Sequence, residues 1–213
     1  MTVADTCLHP YPGGDSSLRR MAIEARELGF DTIVVPVATP HIASGVRVIP
    51  AAIIDGENIR AVSSRLRKVT DRNSLVMVNA GENGFNRAVM NLKGVHVLRN
   101  LSLTRKRSFD HICARLALER GIAVDIDLYP VIHTAGTSRQ RILVRYGELI
   151  SLHSRYPFPM TISSNARSVL DLRSVDEIIL LCSLFGMAED DVHAALSTAG
   201  DLLAPSGPVT VVS

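Results

Sequence analysis

The sequence predicts an α/β fold whose parallel strands and crossover helices close into an irregular barrel. Short β-branched runs alternate with amphipathic helical windows along the 213 residues, which is the signature of repeated βα units. No Pro/Gly/Ser-rich linker interrupts the series, so residues 1–213 are expected to form one domain, a TIM-like (β/α) barrel of about seven strands. An open doubly wound sheet is the alternative. The segments that follow the runs are rich in Arg, Asn, Ser and His and poor in acids. At a barrel's C-terminal face that composition suits an anion or nucleic-acid surface better than a carboxylate metal centre.

The first strand is expected at residues 3–7. It is followed by a helix with Leu18, Met21, Ala22, Ala25 and Leu28 on one face, capped by Asp15 or Ser16 and stopped at Gly29. Further strands are expected at 32–37, 46–54, 75–79, 95–98, 122–127 and 160–163, with helical windows between most of them. Asp110 reads as an N-cap with Gly121 beyond the helix end, and Ser174 with Glu177 as a capping box before an apolar run ending at Gly186. The window 178–185 is apolar nearly all round, which predicts a helix wedged between the barrel and a last helix carrying Val192, Ala195 and Leu196.

Composition narrows the function classes. With 46% apolar and 21% charged residues the chain is expected to fold rather than stay disordered. No apolar run is long enough to span a bilayer, and residues 1–10 lack a basic start followed by an apolar stretch, so a cytoplasmic protein without membrane contact is expected. Cys7, Cys113 and Cys182 are odd in number and dispersed, which argues against a zinc ribbon or a disulfide framework. The absence of Trp argues against a base-stacking platform, and the glycines match no phosphate-cradling loop with its Lys. Net charge is only +2, so the distribution matters more than the total. Arg99, Arg105, Lys106 and Arg107 form one acid-free cluster, and Arg139, Arg141 and Arg145 another. Either could be merely a solvated face.

Asp5-Thr6-Cys7-Leu8-His9, the helix end from Ala25 to Asp31 and the strand that follows resemble the start of a PHP-type metallophosphoesterase barrel. That family begins Asp-x-His-x-His, and here Cys7 replaces the first His. Pro36-Val37-Ala38 stands where the family shows Thr-Asp-His, and Ser164-Asn165-Ala166-Arg167 where it shows Ser-Asp-Ala-His. An arginine has no lone pair to give a metal. This loss of ligands is similar to the p30-type protein subunit of archaeal ribonuclease P. Phe109-Asp110-His111, Ala114 to Ala117, Gly121 to Asp127, Arg139, Tyr156-Pro157, Ile162 to Ala166, Leu172-Arg173 and Gly186-Met187 resemble that family in order and spacing. Asp125 departs from it, since members more often show Glu.

The resemblance implies a PHP-like barrel that binds and stabilises a catalytic RNA for 5′-end maturation of precursor tRNA. The implied partners are ribonuclease P RNA, a small Pop5-type protein, other ribonuclease P proteins and, for the assembled enzyme, precursor tRNA. It implies no catalytic residue and no cofactor on this chain, magnesium being used by the partner RNA. Candidate RNA-binding residues are Arg99, Arg105, Lys106, Arg107, Arg139, Arg167 and Arg173. For Arg167 and Arg173 the competing expectation is ion pairing with Asp171 or Asp176. Ser163, Ser164 and Asn165 are expected to cap a helix rather than bind phosphate.

Two rivals stand. A phosphoesterase with an altered ligand set would use a vestigial metal site drawn from Cys7, His9, His41, Asp125 and Asp127, with His133 as a further donor. A small-molecule barrel enzyme would bind a phosphate group near residues 163–166.

Overall fold

The computed structural model describes residues 2–36, 41–69, 71 and 73–203. Strand β1 (Ala4–Asp5) leads to helix α1 (Leu18–Glu27) and strand β2 (Thr32–Val35). A hairpin of β3 (His41–Ala43) and β4 (Val46–Ile54) follows, then α2 (Ile59–Leu66), β5 (Leu75–Asn79), α3 (Asn83–Met90) and β6 (Val97–Arg99). The second half contains α4 (His111–Arg120), β7 (Ala123–Asp127), α5 (Tyr129–His133), α6 (Gly136–His153), β8 (Met160–Ser163), α7 (Val175–Ser183) and α8 (Glu189–Asp201).

Seven strands form a parallel ladder in the order β1-β2-β4-β5-β6-β7-β8, with β3 antiparallel on β4. The ladder closes on itself. Thr6 N–H donates to the Ile162 carbonyl at 3.0 Å, and Leu8 bridges in parallel to Ala166. Side-chain alternation then sorts residues to two sides of the wall. Ile33, Val48, Val76, Val78, Leu98, Val124, Ile126 and Ile162 pack outward under the helices. Ala4, Val34, Ile49, Ala51, Leu75, Met77, Val97 and Ala123 fill the interior with Ala199 of α8. Each large side chain so buried contributes about 1.5–3 kcal/mol.

The strands expected at 46–54, 75–79 and 160–163 have those bounds. The N-cap at Asp110, the left-handed Gly121 (φ 64°) and the reciprocal Ser174/Glu177 box are also present. Other boundaries differ. The cap of α1 is Ser17, whose hydroxyl accepts from Arg20 N–H, not Asp15 or Ser16. The first strand is shorter than expected: its paired residues are Ala4 and Asp5, and beyond them the chain bonds alternately to both neighbours, Thr6 N–H to the Ile162 carbonyl and Leu8 N–H to the Val34 carbonyl of β2. The strand expected at 32–37 ends at Val35, and positions 37–40 lie outside the described residues. Strand β3 was not anticipated; it is joined to β4 by Ser44-Gly45, both at positive φ (52° and 83°), as a two-residue hairpin turn requires. The expected wedge is corrected as well. Ile178 and Cys182 of α7 are buried but Leu180 and Leu184 are exposed, and α8 rather than α7 packs on β1 and β8.

Candidate nucleic-acid interface and the barrel mouth

Above the apolar layer the same alternation turns Arg99 of β6, Asp125 and Asp127 of β7, and Thr161 and Ser163 of β8 into the barrel's C-terminal mouth. All five are buried. Thr161 and Ser163 hydroxyls donate to the two oxygens of Asp125 at 2.9 and 2.7 Å. Asp127 accepts from Tyr129 N–H and from the Asn165 amide, each at 2.9 Å. Asn165 sits at φ 51°, and its Oδ1 accepts from Arg99 Nη2 at 2.8 Å. The same oxygen lies 2.6 Å from His9 Nε2, which places the imidazole proton on that nitrogen. Arg99 Nη1 also donates to the Cys7 sulfur at 3.4 Å, while Asp5 Oδ1 accepts from Cys7 and Ser164 N–H.

Burial governs the electrostatics here. It pushes Asp5 up to about 7 against the hydrogen bonds from Ser164 and Cys7. Asp127 is likewise pushed up to about 7 by burial, with Asp125 adding to the effect. Burial raises Asp125 too, opposed by Arg99. The Cys7 thiol is pushed up to about 12 by burial, so it stays protonated, and burial holds His9 below its ordinary value. Burial works against the Arg99 charge, but the neighbouring carboxyl groups of Asp125 and Asp127 oppose it and the guanidinium stays protonated.

These residues do not fit a metal ion. A permanent cation stands among the would-be ligands, the thiol keeps its proton, and Asn165 and Arg167 offer an amide and a guanidinium, neither of them an anionic or imidazole ligand. Among the described residues no group of three or more His, Cys, Asp or Glu side chains is arranged to hold a metal. His41 lies on the outer hairpin, and His133 pairs with Asp171 at 2.9 Å and stacks on Tyr129, so neither completes the vestigial site.

The expected RNA-binding set divides. Arg99 is only 2% exposed and its guanidinium is committed to the mouth, so its assignment to the RNA surface is corrected. Arg105, Lys106 and Arg107 are exposed in the loop before α4. Arg105 reaches Glu82 at 3.3 Å and Lys106 reaches Glu148 at 3.7 Å. Arg107 holds φ 66°, a left-handed conformation that costs a non-glycine residue energy. The base of this loop is fixed from below: buried Asn86 donates to the Ser108 carbonyl at 2.9 Å, Arg145 donates to the Leu101 and Ser102 carbonyls at 3.4 Å, and Arg87 pairs with the capping Asp110.

Arg139 lies in the first turn of α6, half-buried, its Nε without a hydrogen-bond partner among the described residues. The ion pairs expected for Arg167 and Arg173 are not what the structure shows. The Arg167 guanidinium lies 5.5 Å over the Tyr129 ring while its backbone N–H donates to Asp171. Arg173 donates to the Leu170 and Leu172 carbonyls at 2.9 and 2.6 Å. Nor do Ser163, Ser164 and Asn165 cap a helix. Ser163 binds Asp125, the Ser164 hydroxyl accepts from Ala166 N–H, and the cap of the next turn is Ser168.

A family model described as "RNase P subunit p30" matches residues 2–206. The chain belongs to the ribonuclease P p30 family. A curated relative, ribonuclease P protein component 3 of Methanosarcina acetivorans, is 27% identical over 205 residues, covering 91% of this chain and 85% of the relative. The counterpart from Methanothermobacter thermautotrophicus is 31% identical over 155 residues, covering 72% and 62%. In fold, the chain is similar to one in a solved archaeal ribonuclease P with mature tRNA, at TM-score 0.78 and 16% identity over 93% of this chain and 89% of that one. It is also similar to a histidinol phosphate phosphatase from Lactococcus lactis solved with zinc, at TM-score 0.62 and 10% identity over 87% and 94%. This p30 chain therefore shares a barrel fold with that phosphatase, and its own mouth holds the buried Arg99. Asn86 and Glu148, which help to frame the cationic loop, are not evident in the sequence because they lie on helices distant in the chain. Only the acid-free spacing of Arg141 and Arg145 hinted at that wall.

Proposed function

We propose that this p30 subunit binds and stabilises the catalytic RNA of ribonuclease P through Arg105, Lys106 and Arg107, and that the phosphodiester is cut by the RNA with its own magnesium. The observation that carries the proposal is the contrast at one end of the barrel: an interior sealed around Arg99 beside an exposed loop of three cations. Cations spread along a loop track a phosphate backbone, neutralising charge the RNA would otherwise hold against its own folding. Arg167 and Arg173, at the same end, would add to that field, as would Arg139. A Pop5-type protein and further ribonuclease P proteins are the expected companions of a single barrel domain in the cytoplasm.

The test is cleavage of precursor tRNA by the cognate RNA plus a Pop5-type partner, with and without this chain, at modest magnesium. Adding the chain is expected to raise the rate or lower the magnesium requirement, and the chain alone to cleave nothing. Hydrolysis of a model phosphoester by the isolated chain with added manganese would contradict the proposal.

A further inference from the structure

We infer that the groove between the cationic loop and α6 is a track for RNA phosphodiester backbone, and that Glu148 masks it in the free protein. The inference rests on the RNA-binding reading and deepens it. One wall carries Lys106 and Arg107 of the loop, the other Arg141 and Arg145 of α6, with Arg155 just beyond that helix. The largest of the three hollows along this groove measures about 910 Å³ and lies between Arg107, Glu148 and Arg155. At 1.5 Å per residue the span from Arg141 to Arg155 is roughly 20 Å, enough for several successive phosphates of one strand.

Two acids face these cations. Asp110 is spent: it caps α4 by accepting from Ile112 and Cys113 N–H and it pairs with Arg87, which together hold its carboxyl down at about 2 although its partial burial works the other way. Glu148 instead pairs with Lys106 across the groove, in a pair exposed on both sides. An exposed pair of this kind is worth about 0.2–1 kcal/mol, so an incoming phosphate displaces it easily. An RNA backbone fits this surface better than an acidic protein does. Val144 is the one large exposed apolar side chain lining the groove among the described residues, whereas a protein interface wants a central cluster of buried apolar anchors.

The experiment is anisotropy titration of the labelled cognate ribonuclease P RNA with the full chain over a salt series, using Arg141→Ala, Arg155→Ala and Glu148→Gln, with Arg19→Ala on α1 as control. Each groove alanine is expected to lower the log–log salt slope by about 0.7–0.9. Glu148→Gln is expected to tighten binding by about two- to five-fold by releasing Lys106. Thermal melts of the variants, all at non-buried positions, verify that they are folded. Wild-type slopes for both groove alanines, or Glu148→Gln binding no tighter than wild type, would overturn the groove assignment. Groove alanines that keep full RNA affinity but lose a protein subunit would overturn it in favour of a protein interface. Failure of the wild-type chain to bind the RNA at all would instead overturn the RNA-binding reading beneath it.

Discussion

Arg99 and Arg107 stand eight positions apart in one acid-free run, yet the fold gives them opposite work. Arg99 ends a strand whose alternation turns it inward, where Asn165, Cys7 and the nearby carboxylates consume its charge. Arg107 sits in a strained, exposed turn where its charge is offered to solvent. The lesson is that a cationic run read from sequence is a list of candidates, and burial decides which of them a polyanion can reach. In this barrel the buried member is committed to the mouth, and the exposed members are the ones proposed to meet RNA.

The largest effect that could break this comparison is at Arg99. Arg99→Met removes the hydrogen bonds to Asn165 and Cys7 and the cation that opposes the burial of Asp125, and is expected to cost about 3–5 kcal/mol in urea denaturation. At temperatures where the variant is folded, its RNA salt slope should match wild type. A stable variant with a reduced slope would mean that Arg99 contacts RNA after all.

The next effect sharpens the electrostatics of the mouth. Asp127, pushed up to about 7 in the folded chain from an ordinary 3.8, keeps a proton that the unfolded chain releases at lower pH. Its contribution to stability therefore falls as pH rises from about 4 to 7 and is level above that. Relative to wild type, Asp127→Asn should gain stability across that window, on the order of a few kcal/mol, as read from denaturation midpoints at each pH. A difference that does not vary with pH would show that the carboxyl is ionised throughout and that Arg99 outweighs burial.

Smaller effects belong to the loop. Arg107→Ala is expected to change stability by no more than about 0.5 kcal/mol while lowering the salt slope of RNA binding by about one phosphate's worth. Arg107→Gly removes the left-handed strain as well as the charge, and should raise stability by up to about 1 kcal/mol with the same loss in slope. A thermal melt of that variant below wild type would show that the Arg107 side chain is held by the loop rather than offered by it.

The parts of the fold that rest on local chemistry were readable in advance. β4, β5 and β8 follow from β-branched runs, and the ends of α4 and α7 from Asp110, Gly121, Ser174 and Glu177, because caps and runs depend on neighbours in the chain. What depends on distant partners was not. Reading β6 as ending at Leu98 hid that Arg99 shares a side with Val97, and a one-residue difference at a strand end turns a surface cation into a buried one. Ser163 was expected to cap a helix because its partner, Asp125, is 38 positions away on the adjacent strand. That Cys7, Asn165 and Arg167 depart from a metal-binding pattern could be seen from the resemblance, but not that Arg99 would lie among Cys7 and Asn165.

The most direct test of the division between buried and exposed cations is the salt dependence of RNA binding by the chain carrying Arg105→Ala, Lys106→Ala and Arg107→Ala together. A folded protein whose log–log slope is lower than wild type by about 2 to 3 is expected. A slope equal to wild type would contradict it and move the RNA surface elsewhere on the barrel.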